Sequence, residues 1–136
     1  MKNDKSAKSH LADAEIILEE ACCSLQKEHY HRVIRKCQES TELAVKGIFR
    51  YLGLEYPKSH ILGRVIKKEL SRYGLFRREE LKRMANISDS LAFDREPAFY
   101  GSPDGIPAGE LFDQEDAEEA VEETRWIINI IKKVIK

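Results

Sequence analysis

Apolar side chains recur along this chain at three- and four-residue steps, the period of amphipathic helices, and five such stretches are separated by turn residues. The first is predicted over Ala7–Gln26, with Leu11, Ala14, Leu18, Ala21, Cys22 and Leu25 on one face and Glu15 and Glu19 off it. The second runs from Tyr30 to Leu52 along Val33, Ile34, Cys37, Thr41, Ala44, Ile48 and Leu52. Gly53 stands where a left-handed helix stop belongs, and Pro57 keeps the connection that follows extended. A third helix is predicted over Ile61–Tyr73 (Leu62, Val65, Ile66, Leu70), ending at Gly74. A fourth covers Arg78–Phe93, with Leu81, Met84, Ile87 or Ser88, and Leu91 inward.

Asp94–Phe112 holds three of the four prolines and three glycines and reads as one long irregular segment. Asp113 then caps a fifth helix, with Asp116 three residues on. Ala117, Ala120, Val121, Thr124, Ile128, Ile131 and Ile135 share a face, and the helix continues to the C-terminus. Trp126 and Ile130 point away from that face at 100° per residue. A helix apolar on two sides needs a second covering surface, so Trp126 and Ile130 are expected to meet a neighbouring subunit or partner; a lone exposed Trp is the alternative. Residues 1–136 therefore read as a single all-α domain, an up-down bundle of about five helices, dimeric through the last.

Composition narrows the class. The chain has 136 residues, 42% of them hydrophobic and 35% charged, with 23 Lys and Arg against 24 Asp and Glu. That balance excludes a polybasic nucleic-acid coat and an acidic disordered tail. It is unevenly placed, however. Arg64–Arg83 holds eight basic and three acidic residues, whereas Asp94–Glu123 holds eleven acidic residues and only Arg95. Such polarity steers an anionic partner to one side, or it is two solvated helix faces. Cys22, Cys23 and Cys37 form neither a disulfide framework nor a C-x-x-C pair, and read as reduced thiols. The polar N-terminus lacks a secretory pattern and no apolar run has the length of a bilayer span, so a cytoplasmic protein without membrane contact is expected.

Candidate chemistry is sparse. His29 and His31 form an H-x-H without further ligands at metal-site spacing, so no metal and no cofactor is expected. The second helix carries a charged stripe of Arg35, Glu39, Glu42, Lys46 and Arg50, three or four residues apart. It is either a surface ion-pair ladder or a support in which Glu42 and Lys46 fix an arginine from elsewhere. The stretch Ala92–Gly101 is the most site-like. Arg95 is suited to gripping a phosphate, and Phe99 or Tyr100 to stacking on a base. Alternatively Arg95 pairs with Asp94, Glu96 or Glu42 and the aromatics cap the bundle.

Three stretches in order resemble the HEPN family: His29-Tyr30-His31-Arg32-Val33-Ile34 at the start of the second helix; Gln38 to Ile48, similar to a Q-x-x-x-E-x-x-x-K-A pattern, followed by Pro57-Lys58-Ser59-His60; and Asp94 to Gly101 with Phe112 to Ala117. The resemblance covers nearly the whole chain. It implies a dimeric helical bundle paired with a minimal nucleotidyltransferase protein in toxin–antitoxin or defence systems. It also implies, for many members, metal-independent RNA cleavage at an R-x(4–6)-H motif. Here Arg95 is followed at that spacing by Tyr100, Gly101 and Ser102, and all four histidines lie upstream. Tyrosine, with an ordinary pKa of about 10, is a poor base at pH 7. His60 can substitute only if folding brings it to Arg95.

The leading expectation is thus a nucleotide- or RNA-associated binding module with little catalysis, its ligand held by Arg95, Phe99, Tyr100, Glu42 and Lys46. A ribonuclease using Arg95 and Tyr100 is the second reading, and a ligand-free interaction bundle the third.

Overall fold

The computed structural model describes residues 3–135, all of whose regular structure is helical. Met1, Lys2 and Lys136 of the expected 1–136 domain lie outside the described residues. Five α-helices follow in order: α1 (Asp4–Gln26), α2 (Tyr30–Leu52), α3 (Gly63–Leu70), α4 (Arg78–Tyr100) and α5 (Gln114–Val134). Short 3₁₀ turns occupy Ser71–Tyr73 and Ala108–Glu110.

Helix α1 starts earlier than its apolar pattern, because the Asn3 side chain accepts from the Ser6 N–H at 3.0 Å and caps a polar first turn. Helix α2 has the expected bounds. Gly53 ends it in the left-handed conformation (φ 73°), the one backbone region where an absent Cβ matters. A three-residue link joins α1 and α2, which pack along their lengths as an antiparallel pair. Helix α2 is central, touching α1, α4 and α5, and α3 lies on α4.

Polar contacts fix the registers between these helices. Ser40 Oγ donates to the Ala14 carbonyl at 2.6 Å, tying α2 to α1. Thr41 and Thr124 join hydroxyls at 3.3 Å between α2 and α5. Cys37 is fully buried and burial pushes its thiol pKa up to about 12, so it serves packing rather than reactivity. Helix α5 begins at the expected Asp113 cap, which closes with Asp116 into a reciprocal box. Asp113 accepts from the Asp116 N–H at 2.9 Å, and Asp116 accepts from the Asp113 N–H at 3.0 Å.

Three expectations need correction. Helix α3 begins at Gly63, not Ile61, whose side chain is 68% exposed; the Gly63 N–H donates to Asp89 Oδ1 at 2.7 Å, so contact with α4 sets the start. Helix α4 does not stop at Phe93. It runs through Pro97 to Tyr100, so the irregular segment is shorter by seven residues, 94 to 100. Finally, Ile130 is not offered to a partner: only 9% exposed, it joins the core, as Ile127 also does. Trp126 is half-buried, with the Arg83 guanidinium 4.1 Å above its ring. Helix α5 touches α1, α2 and α4, so its wide apolar circumference is consumed within the chain.

His10 lies where α1 crosses α2 at Gly47, where a Cβ would come within 3.6 Å of the His10 Cβ. Its Nε2 is buried without a hydrogen-bond partner. Burial first, then Lys46 and Arg50, lower its pKa below the ordinary 6.5, opposed by Asp13. The unfolded chain therefore binds this proton more readily than the folded one. Stability is full well above pH 6.5 and declines as pH falls through 6.5 towards the native value. His31, also lowered by burial and then by Arg32 and Arg35, acts with the same sign. The melting temperature should fall between pH 7.5 and 5.5, and His10→Gln should flatten the fall. Equal pH slopes for variant and wild type would refute this assignment.

Candidate functional site

The charged stripe of α2 meets two different neighbours. At its N-terminal end Arg35 faces the last turns of α4. The guanidinium carbons of Arg35 and Arg95 lie 3.7 and 5.3 Å from the centroid of the Phe99 ring. The Phe99 and Tyr100 rings are 5.8 Å apart, tilted by 35°. Helix α4 delivers Arg95 and Phe99 together because they are one turn apart on a single helix, which its continuation through Pro97 makes possible.

Neither arginine has a carboxylate within ion-pair distance among the described residues, and Arg95 Nε is buried without an acceptor. The expected pairing of Arg95 with Asp94, Glu96 or Glu42 does not form. Burial and then Arg32 hold the Arg35 pKa below its ordinary value, with Tyr100 and Glu39 opposing. Two partly dehydrated cations with no carboxylate in direct contact attract a bidentate oxyanion such as phosphate. Phe99 itself has its ring occupied by the guanidiniums. The aromatic faces open to a base are Tyr100 and, unforeseen, Phe93, at 81% and 80% exposure.

Two turns further along α2 a separate cleft of about 600 Å³ opens between the helix and residues 54 to 58. Glu42 Oε1 pairs with His60 Nδ1 at 2.6 Å, and Gln38 Nε2 donates to Glu42 Oε2 at 3.4 Å. The Tyr56 hydroxyl donates to the Glu42 carbonyl at 3.3 Å, and Lys46 Nζ lies 5.6 Å from the Tyr56 ring centroid. Burial and the nearby Glu42 push the Tyr56 phenol well above its ordinary range.

Glu42 and Lys46 therefore neither hold Arg95 nor form a ladder. No ion pair joins any two members of the stripe, because each end is taken by a different neighbour. His60 is brought to Glu42, seven residues from Arg35, roughly 10 Å along the helix axis. The histidine one turn before Arg35 is His31, its ring 3.7 Å from where a Gly109 Cβ would lie.

Arg35 was legible only as one member of a stripe, since its partner Phe99 is far along the chain. Tyr56 carried no periodic signal. A weak cue existed in Arg35 itself, a cation one turn beyond His31 on the edge of the central helix. Among the described residues no group of three His, Cys, Asp or Glu side chains is placed to hold a metal ion. None of the described helices is long and apolar enough to cross a membrane. The HEPN domain family model matches residues 7–134. No curated protein and no solved structure matches the chain significantly.

Proposed function

The chain belongs to the HEPN domain family, and from that premise we propose that it is an RNA- or nucleotide-binding module whose phosphate contact is the Arg35–Arg95 pair. The observation that carries this reading is the pair itself: two guanidiniums from different helices on one aromatic ring, neither in a direct ion pair with a carboxylate among the described residues. Tyr100 supplies a stacking surface beside it. The reading includes assembly with a second copy or with a minimal nucleotidyltransferase protein of a toxin–antitoxin or defence pair. The exposed Phe93–Tyr100 edge of α4 is the apolar surface available to either. It also places the protein in the cytoplasm, where Cys22, Cys23 and Cys37 remain reduced thiols.

Fluorescence anisotropy with a labelled single-stranded RNA, on EDTA-treated protein, tests the reading. Wild type should bind without cleaving, and Arg35→Ala or Arg95→Ala should each weaken binding by about tenfold or more, the range of one charge-assisted contact. Undiminished binding by the double variant would refute the site. The alternative, a metal-independent ribonuclease, draws support from His31 rather than Tyr100: burial and the neighbouring arginines favour the neutral imidazole, the form that accepts a proton. It requires RNA cleavage that both Arg95→Ala and His31→Gln abolish.

A further inference from the structure

The cleft beside Glu42 carries charges that neither its own contacts nor the arginine pair uses. The chain reverses at Gly53 and runs back along α2, so residues 54 to 58 form one wall and the charged stripe the other. Three cations line it, Lys46, Arg50 and Lys58, and so do three acids, Glu39, Glu42 and Glu55. Glu42 is taken by His60 and Gln38. None of the other five has an opposite charge within ion-pair distance among the described residues. Glu39 acts on Arg35, one turn earlier, only through its longer-range field.

Unpaired charges of both signs around a gap of about 600 Å³ are complementary to a ligand that carries both signs itself. A polyphosphate or an RNA strand carries one sign only, and meets as many acids here as cations. The stripe also sets the ligand's length and direction. Its acids, Glu39 and Glu42, precede its cations, Lys46 and Arg50, whereas the opposite wall offers a single Glu55 and a single Lys58. Glu39 and Lys46 are seven residues apart, roughly 10 Å along the helix axis. A lone amino acid is too short for that span, but an extended peptide advances roughly 3.3–3.6 Å per residue, so about three residues reach it. Leu43 falls between those ends on α2, and Leu54 and Pro57 add apolar surface from the other wall. We propose that this cleft binds a short peptide of about three residues by both of its free termini. The ammonium sits at Glu39, the carboxylate at Lys46 and Arg50, and the middle side chain on Leu43, Leu54 and Pro57.

Calorimetric titration of the full chain with the tripeptide Ala-Leu-Ala tests the assignment, beside its N-acetylated form, its C-terminal amide and free leucine. Wild type should bind the unblocked tripeptide saturably and each of the other three about tenfold or more weakly, the range of one charge-assisted contact. In Glu39→Gln acetylation should no longer matter, and in Lys46→Gln combined with Arg50→Gln amidation should no longer matter. Glu39 and Arg50 are exposed and glutamine keeps most of each side chain, so folding should be preserved. Three results would overturn the site: no saturable binding by wild type, equal affinity for unblocked and blocked peptides, or the same loss on acetylation in Glu39→Gln as in wild type. These probes carry no phosphate, and Arg35 and Arg95 stay intact throughout, so this site and the RNA contact fail separately.

Discussion

Gly101→Ala is expected to cost roughly 3–5 kcal/mol of stability, and RNA binding should weaken with it. Gly101 holds φ 80° and ψ −170°, a backbone region that essentially only glycine occupies. A Cβ there would run into the Ile106 carbonyl oxygen and approach the Ala108 nitrogen to 3.1 Å. Neither neighbour is free to move. The Ser102 N–H donates to that same Ile106 carbonyl at 2.9 Å, and the Ile106 N–H donates to Ser102 Oγ at 3.0 Å. On its other side Gly101 donates to the Pro97 carbonyl at 2.9 Å, closing the last turn of α4, which carries Arg95 and Phe99. Gly105→Ala is the matching control: its φ is 95°, but nothing lies within 4 Å of an added Cβ. It should lose only about 1–2 kcal/mol, from backbone strain alone. Equal losses at the two positions in urea denaturation would show that the contact with Ile106 is not what fixes this turn.

The same turn explains where sequence reasoning succeeded and where it stopped. Helices α2 and α5 were legible to the residue at their starts or stops, because Gly53 and the Asp113–Asp116 box are local chemistry. The end of α4 was not, because Pro97 is a strong local stop signal that tertiary packing overrides. A proline three residues from a helix end removes one backbone donor. The bond lost is the one that the Phe93 carbonyl would accept, on an exposed turn of the helix. Against it stand full burial of Ala98 and the Gly101–Pro97 bond. Moving residues 94 to 100 from loop to helix changes the chemistry as well. Arg95 becomes a rigid helical side chain one turn from Phe99 rather than a mobile loop residue.

Long-range partners were beyond any spacing argument. Nothing at the sequence level links Arg35 to Phe99, or Lys67 to Lys82 across the Gly74 corner. Charge totals were legible, but cations of the run Arg64–Arg83 come to line one cleft only where α3 folds back on α4. The misreading of Ile130 has the same origin. An angle around one helix says how wide its apolar face is, not how many helices cover it.

Phe49→Ala should be comparably costly, about 3–5 kcal/mol, a large share of the roughly 5–15 kcal/mol that holds a domain folded. Phe49 is 1% exposed and among the largest fully buried side chains of the chain. It also meets Tyr56 edge-on, with centroids 5.6 Å apart and planes at 78°, worth about 0.5–1.5 kcal/mol beyond burial. Through Tyr56 the core reaches the cleft, since the Tyr56 hydroxyl holds the Glu42 carbonyl and its ring lies beside Lys46. Phe49→Leu, which keeps most of the volume, should cost less, about 1–1.5 kcal/mol, and remain folded. In that variant hydrogen exchange should quicken over residues 54 to 60, where the aromatic contact is lost. RNA binding should stay unchanged, because Arg35, Arg95 and Phe99 lie on the far reaches of α2 and α4 from Phe49. A folded Phe49→Leu variant with lost RNA binding would mean that the Glu42–His60 cleft and the arginine pair act as one site. Intact binding with loosened residues 54 to 60 would establish them as two.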